Sequence, residues 1–427
     1  MKNILTLRNR KNKVMYAIAV ALCVVLLAVG YLAATDGGGS FYASADGALY
    51  LRAEVTEIVE TASEHDDNGI LLSQDTVFKA RISDGDRKGE TVTAYQNYSS
   101  YTPLNPRRVE VGDSIVVAHF DGVDEWNFID FVRSDAIIIL TLLFALLLVL
   151  FGRKKGFKTV FSLALTVIAV IFVFIPAVLG GGNIYFWAIA VCVYIIVMTL
   201  IITSGLSPMS LAASMGCVGG VLVSLLLTLI TDAFIHITGN ADPHSIYLLY
   251  IGGGLDLRAL IYASIIIGSV GAVMDVAVDI SASLKELAVK LKKPTMGELF
   301  RSGLNIGRDV IGTMSNTLVL AYIGGSMCSL LLYFYNNWSN AFYLFNIEII
   351  IVEMLKILVG SIGILLTLPL TALVSSWLYT LEGMRAHILD EMPEDTDEAD
   401  DEYAAILERA GSFDGDIKTE KGEKTDE

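Results

Sequence analysis

An ionisable side chain inside an otherwise apolar run is expensive in lipid and marks a place to look for chemistry or ion movement. The densest set begins at Gly271-Ala-Val-Met-Asp275-Val-Ala-Val-Asp279-Ile280, where two aspartates four residues apart share one helical face. A second stretch reads Gly303-Leu-Asn305-Ile-Gly307-Arg308-Asp309-Val-Ile-Gly312-Thr313-Met-Ser-Asn316-Thr317. In it Asp309, Thr313 and Asn316 recur at the i, i+4, i+7 spacing of a single face. At about 1.5 Å of rise per residue, Asp275 lies less than about 10 Å inside the cytoplasmic end of its apolar run, and Asp279 lies at the boundary. Arg308 is then placed to pair with Asp275 or Asp279, with Asn305, Asp309 and Asn316 completing a polar site. Oxygen ligands of this kind suit Mg²⁺ or another hard cation, or a proton relay. A structural ion pair that fixes two helices would use the same residues.

Glu353 and Lys356, three apart on a later apolar run, meet on one helix surface. They lie about 9 to 14 Å in from the outer side by helix rise, either as a second station on a pathway or as an internally neutralised pair. In an outer loop, Asp232, His236, Asp242 and His244 include the four-residue Asp-to-His step that can ligate zinc. That spacing is generic, and a solvated loop is the plainer reading. The identity of any metal is unassigned: no cofactor is called for beyond a bound cation of unknown kind.

These residues need membrane helices to position them. With 54% apolar residues and only 18% charged among 427, and a mean hydropathy of +0.59, the composition excludes an ordinary soluble protein. About 20 apolar residues cross the hydrocarbon as a helix, and eight runs qualify: 16–34, 136–151, 159–179, 185–202, 209–230, 259–280, 311–335 and 347–373. The first follows Lys2, Arg8, Arg10, Lys11 and Lys13 and lacks a small-x-small cleavage pattern, which predicts an uncleaved signal anchor. Keeping this basic start in the cytoplasm also places Arg153, Lys154, Lys155 and Lys158 there, with Lys285, Lys290, Lys292, Lys293 and Arg301. The positive-inside rule is then obeyed throughout, and both termini are cytoplasmic. Apolar character continues past Pro369 to Tyr379, which fits a broken helix or a re-entrant end as well as a straight span. Gly216 with Gly220, Ser264 with Gly268 and Ala272, and Gly360 with Gly363 form small-residue faces that let helices approach closely. They predict a tight bundle of the last four spans, within one chain or across a dimer.

The formal charge of −16 is concentrated in two water-facing segments, about −11 over residues 35–135 and about −12 over residues 390–427. No compact basic stripe is present, which excludes nucleic acid as a partner. In the first segment Leu51 to Val55 and Phe78 to Ile82 alternate, and further strands are expected at 90–95, 114–120 and 127–132. Five short strands predict a small OB-like barrel outside the membrane. Tyr95, Tyr98 and Tyr101 would give it a stacking face for a sugar or peptide, or simply cover its mouth. The acidic tail is too polar to bury a core and is expected to be disordered. Between the sixth and seventh spans, Leu284, Leu287, Ala288 and Leu291 form an apolar stripe opposite lysines, the pattern of an interfacial helix on anionic lipid. No phosphate-binding glycine loop, zincin motif or nucleophile elbow occurs, so an ATP-driven pump or a hydrolase is not expected.

Three strings together resemble the YibE/F-like family of bacterial multi-pass membrane proteins: Gly271-x-x-Met-Asp275-x-Ala, Asn305-Ile-Gly-Arg308-Asp309-x-x-Gly-Thr313-Met-x-Asn316-Thr317, and Glu353-x-x-Lys356-x-x-x-Gly360-Ser-Ile-Gly363. The resemblance runs from the outer barrel to the eighth span and leaves out the acidic tail. It implies the topology and no particular activity.

The fold class expected is an α-helical polytopic membrane protein with about eight transmembrane helices and an all-β domain between helices 1 and 2. Its parts are a basic N-terminus and anchor (1–34), an outer β-domain (35–135), a seven-helix membrane domain (136–389) and the acidic tail (390–427). The leading function is a secondary transporter or permease of the plasma membrane for an ion or small solute, and not an enzyme. A non-transporting scaffold or sensor whose outer domain binds a ligand is the alternative, favoured by the lack of a visible inverted repeat. The expected partners are the lipid bilayer and either a second copy or a related membrane protein.

Overall fold

The computed structural model describes residues 2–35, 49–65, 71–99, 107–120, 122, 125–239, 255–291, 294–337 and 339–390. The chain forms two units, residues 40–160 and the remainder. The acidic tail, Tyr101, Asp242 and His244 lie outside the described residues.

The first unit is built on five strands: β1 (Leu49–His65), β2 (Leu71–Ile82), β3 (Thr91–Ser99), β4 (Ser114–His119) and β5 (Trp126–Phe131). They close into a barrel in the order β1-β2-β3-β5-β4, antiparallel except where β3 meets β5. Strand alternation sends Ala53, Val55, Phe78, Ala80, Ile82, Val92, Ala94, Ile115, Val117 and Trp126 into one buried core. All five strands include segments expected from the sequence, but β1, β2 and β3 run further. β1 bends at register shifts after Val55 and Ile58, and its last turn-ward residues, Glu60 to His65, are exposed. Polar on both faces, that extension carries no hydrophobic signature. The guanidinium of Arg108 lies 5.6 Å from the centre of the Tyr98 ring, so Tyr98 is not an open stacking platform.

The second unit is helical: α1 (Lys2–Thr35), the end of α2 (Ser134–Ala169), a π-helical turn (Val170–Phe174), α3 (Ile175–Leu179), α4 (Ile184–Ser204), α5 (Pro208–Ile235), α6 (Leu257–Lys290), α7 (Met296–Gly325), α8 (Met327–Asn337), α9 (Ala341–Leu344), α10 (Glu348–Thr380) and α11 (Glu382–Asp390). α10 is its hub, packed on α5, α6 and α7. Missing side chains make this possible. Gly216 and Gly220 of α5 face Thr371 and Thr367 of α10, Gly363 of α10 faces Ser224 of α5, and Gly307 of α7 faces Leu368, each so closely that a Cβ would overlap its neighbour. Most hydroxyls buried at these crossings are satisfied: Ser224, Thr228, Thr367 and Ser376 donate to the carbonyl four residues back, and Ser281 and Ser375 share a hydrogen bond of 3.1 Å between helices, while the buried Thr371 hydroxyl against Gly216 has no partner among the described residues.

Among the described residues six helices are long and apolar enough to cross a membrane, or seven if the bent pair α7 and α8 is counted as one span. Three boundaries differ from expectation. Pro369 lies inside an unbroken α10; neighbours on three sides hold that helix together through the hydrogen bond proline removes. The break falls instead between α7 and α8, which meet at 67° after Gly324 and Gly325, the weakest helix formers after proline. The lysine-flanked stripe is no separate interfacial helix either, because α6 continues through it to Lys290. Leu284 and Ala288 are buried with Leu299 and Ile388 in the protein core, so protein and not lipid covers them.

Candidate functional site

The site is built on α6 and α7, which run antiparallel: a Cβ on Gly268 would meet Tyr322, and one on Gly303 would meet Leu284 at 3.0 Å. Interpolating between those two crossings places Asp275 level with Thr313, and Asp279 level with Arg308 and Asp309. Each helix turns its apolar or glycine face inward. Val273, Val276, Ala277 and Ile280 of α6 are buried, as are Gly303 and Gly307 of α7.

The opposite faces are polar and open. Between Ser264 and Asp279 the exposed residues of α6 are Ser264, Gly268, Gly271, Asp275 and Asp279, with Gly268 lying against Tyr322; between Asn305 and Thr317 those of α7 are Asn305, Arg308, Asp309, Gly312, Thr313, Asn316 and Thr317, followed by the exposed apolar pair Leu320 and Ala321. A Cβ on Gly271 or Gly312 would meet nothing within 4 Å. Seven predicted site residues, Asp275, Asp279, Asn305, Arg308, Asp309, Thr313 and Asn316, therefore lie on one side of a helix pair.

The expected ion pair is not formed. Arg308 Nη1 donates to Asn305 Oδ1 on its own helix at 3.3 Å, and among the described residues no ion pair joins Arg308 to Asp275 or Asp279. Depth is right but direction is wrong, since both helices aim these side chains away from the bundle and so past one another.

Glu353 and Lys356 lie apart from this face, on α10. Lys356 Nζ is 2.7 Å from Glu353 Oε1, with side chains 24% and 17% exposed. Glu353 Oε2 accepts a hydrogen bond from Ser326, the residue at the bend between α7 and α8. The pair is thus neutralised internally and also holds the bend. Sequence reasoning missed Ser326, whose only signal was its place after two glycines inside an apolar run.

Of the four residues considered for zinc, Asp232 and His236 lie among the described residues. Asp232 Oδ1 accepts from Arg258 at 2.8 Å and from the Tyr262 hydroxyl at 2.7 Å, while His236 is the left-handed cap of α5. Among the described residues no three His, Cys, Asp or Glu side chains gather as a metal site. Glu348 accepts from the backbone amides of Thr238 and Gly239 and from the Thr238 hydroxyl. It thereby ties the start of α10 to the segment after α5.

A sequence model described as YibE/F-like protein matches residues 140–381. The chain belongs to the YibE/F-like family. The match begins inside α2 and ends just beyond α10, so it takes in α6, α7 and α10 with every residue of the polar face and the Glu353–Lys356 pair. The β-barrel, which the string resemblance included, lies outside the part of the chain that defines it as YibE/F-like. Comparison with curated proteins and with solved structures gave no match.

Proposed function

We propose that this YibE/F-like protein is a multi-pass permease of the plasma membrane that passes a cation along the polar face of α6 and α7. The observation that carries this reading is the exposure of Asp275 and Asp279 on α6, a helix long and apolar enough to span, and of Asp309 and Asn316 on α7, which qualifies as a span together with α8. Hydrocarbon gives such groups no hydrogen bonds, a cost that bears most on Asp275, less than about 10 Å inside the span, and falls toward the boundary where Asp279 and Asp309 lie. Residues of that kind face water or protein. Three carboxylates and one guanidinium, with amide and hydroxyl oxygens between them, present an acidic, oxygen-rich wall suited to a hard cation or a relayed proton. Catalysis has no part in this reading.

Eight spans with both termini cytoplasmic remain the topology we favour. The helical stretch Ser134–Leu179 is 46 residues, about 69 Å of helix, more than twice what one crossing needs. It also holds a non-helical residue, Arg153, with φ 48°, which supports two spans joined at the basic cluster. An anchor helix in that orientation would put the barrel outside, and its strand order with one parallel closure supports an OB-like type.

The test is flux through reconstituted protein. Proteoliposomes enclosing a Mg²⁺-sensitive or a pH-sensitive dye are given an outward or inward gradient of the same ion. The expected result is dissipation of at least one gradient faster than in protein-free vesicles. Rates equal to those of empty vesicles for both ions would overturn the reading.

A further inference from the structure

We propose that the polar face of α6 and α7 is closed by the same face of a second copy of the chain, related by a two-fold axis along the membrane normal. In this arrangement Arg308 of each copy lies against Asp279 of the other. The inference rests on the reading of that face as a cation path, and adds that the path is walled by two copies.

Lipid is a poor cover for the part of the face inside the span, because the Asp275 carboxylate would have no hydrogen-bond partner there. The apolar runs at 16–34 and 136–151 are poor covers as well, since neither contains a charged side chain. A second copy supplies what they lack. Arg308 and Asp279 are both exposed, and no ion pair joins them among the described residues. The helix register puts them at the same depth. A two-fold axis along the membrane normal preserves depth and sets α6 of one copy across from α7 of the other, so each guanidinium meets an aspartate twice over, as an isologous interface requires. The surface also has the shape for close approach: Gly271 and Gly312 are open, with no neighbour within 4 Å of a Cβ, and small residues are what membrane helices use where backbones meet.

The pairing would also define the path. Taking up Arg308 and Asp279 leaves Asp275 and Asp309 of each copy, with Thr313 and Asn316, facing one another across the axis. The wall that remains is acidic, which selects for a cation and against an anion.

The test uses the full chain in native membranes, with Cys328, the exposed native cysteine, replaced by serine. Asp279→Cys carrying one affinity tag is co-expressed with Arg308→Cys carrying another, and mild oxidation is applied. The expected result is a disulfide-linked dimer bearing both tags, at least tenfold more abundant than the mixed product of a control pair, Leu222→Cys with Leu226→Cys, on the exposed face of α5. Mixed product at the control level would overturn the proposal. The unmodified protein in mild detergent provides a measurement free of variants: light scattering giving the mass of two copies supports the interface, and the mass of one copy overturns it. Cross-linked dimers without cation flux would leave the interface standing and remove the path. Flux from a single copy would keep the path and remove the interface.

Discussion

Replacing Gly220 by leucine is expected to leave little or no folded protein in the membrane. At this position α5, α6 and α10 converge: a Cβ on Gly220 would overlap the Thr367 hydroxyl and lie 2.9 Å from Val273 Cγ1. Both neighbours are fixed. Thr367 is fully buried and donates to Gly363 O at 2.6 Å, and Val273 is buried in the main core. Overpacking a well-filled interior by a methylene or two costs about 1–3 kcal/mol. A leucine side chain wedged between three backbones exceeds that range, against a total stability of about 5–15 kcal/mol for an ordinary domain. The measurement is the fraction of protein that elutes as a monodisperse peak after detergent extraction. Gly383→Leu, where a Cβ would meet nothing within 4 Å, is the control and should extract like the parent. A normal peak for Gly220→Leu would mean that the helices do not cross here.

Asp275→Asn is expected to lower cation flux at least tenfold while insertion and extraction stay unchanged. The effect separates cleanly from folding because of what surrounds the residue. Asp275 is exposed and makes no ion pair among the described residues, so removing its charge orphans no buried partner. Glu353→Gln is the opposite case: it would leave Lys356 without its counter-ion, and is expected to disturb the fold as much as the flux. A tenfold fall corresponds to about 1.4 kcal/mol on the barrier to passage, a modest contribution for a carboxylate lining the route. Unchanged flux in a normally inserted Asp275→Asn protein would remove this residue from the path.

Much of this architecture is legible in the chain because membranes and barrels impose strong periodicities. Phe78-Lys-Ala-Arg-Ile82 alternates because one side of β2 faces the barrel core, and all five strands include segments expected from the sequence. The residues of the polar face stand out for a related reason, since a charge in an apolar run is conspicuous whatever surrounds it. Direction was harder to read. Helical spacing puts Arg308 and Asp279 each on a definite face of its own helix, but which way that face points depends on the packing of Gly303 and Gly307 against α10, a tertiary fact. The bend at Ser326 was hidden for the same reason, as its partner Glu353 lies 27 residues away. The stripe at Leu284 and Ala288 has the amphipathic pattern of a lipid-bound helix; only the position of Leu299 and Ile388 shows that protein covers it.

The central claim is that the open face of α6 and α7 is in contact with water at membrane depth. It is tested most directly by the reactivity of Asn316→Cys and Thr313→Cys, in the Cys328→Ser protein, toward a charged, membrane-impermeant thiol reagent applied to each side of sealed vesicles. The account predicts labelling from at least one side at a rate close to that of a cysteine placed at exposed Glu57 in the barrel. Labelling as slow as that of Leu226→Cys, on the exposed apolar face of α5, would contradict it.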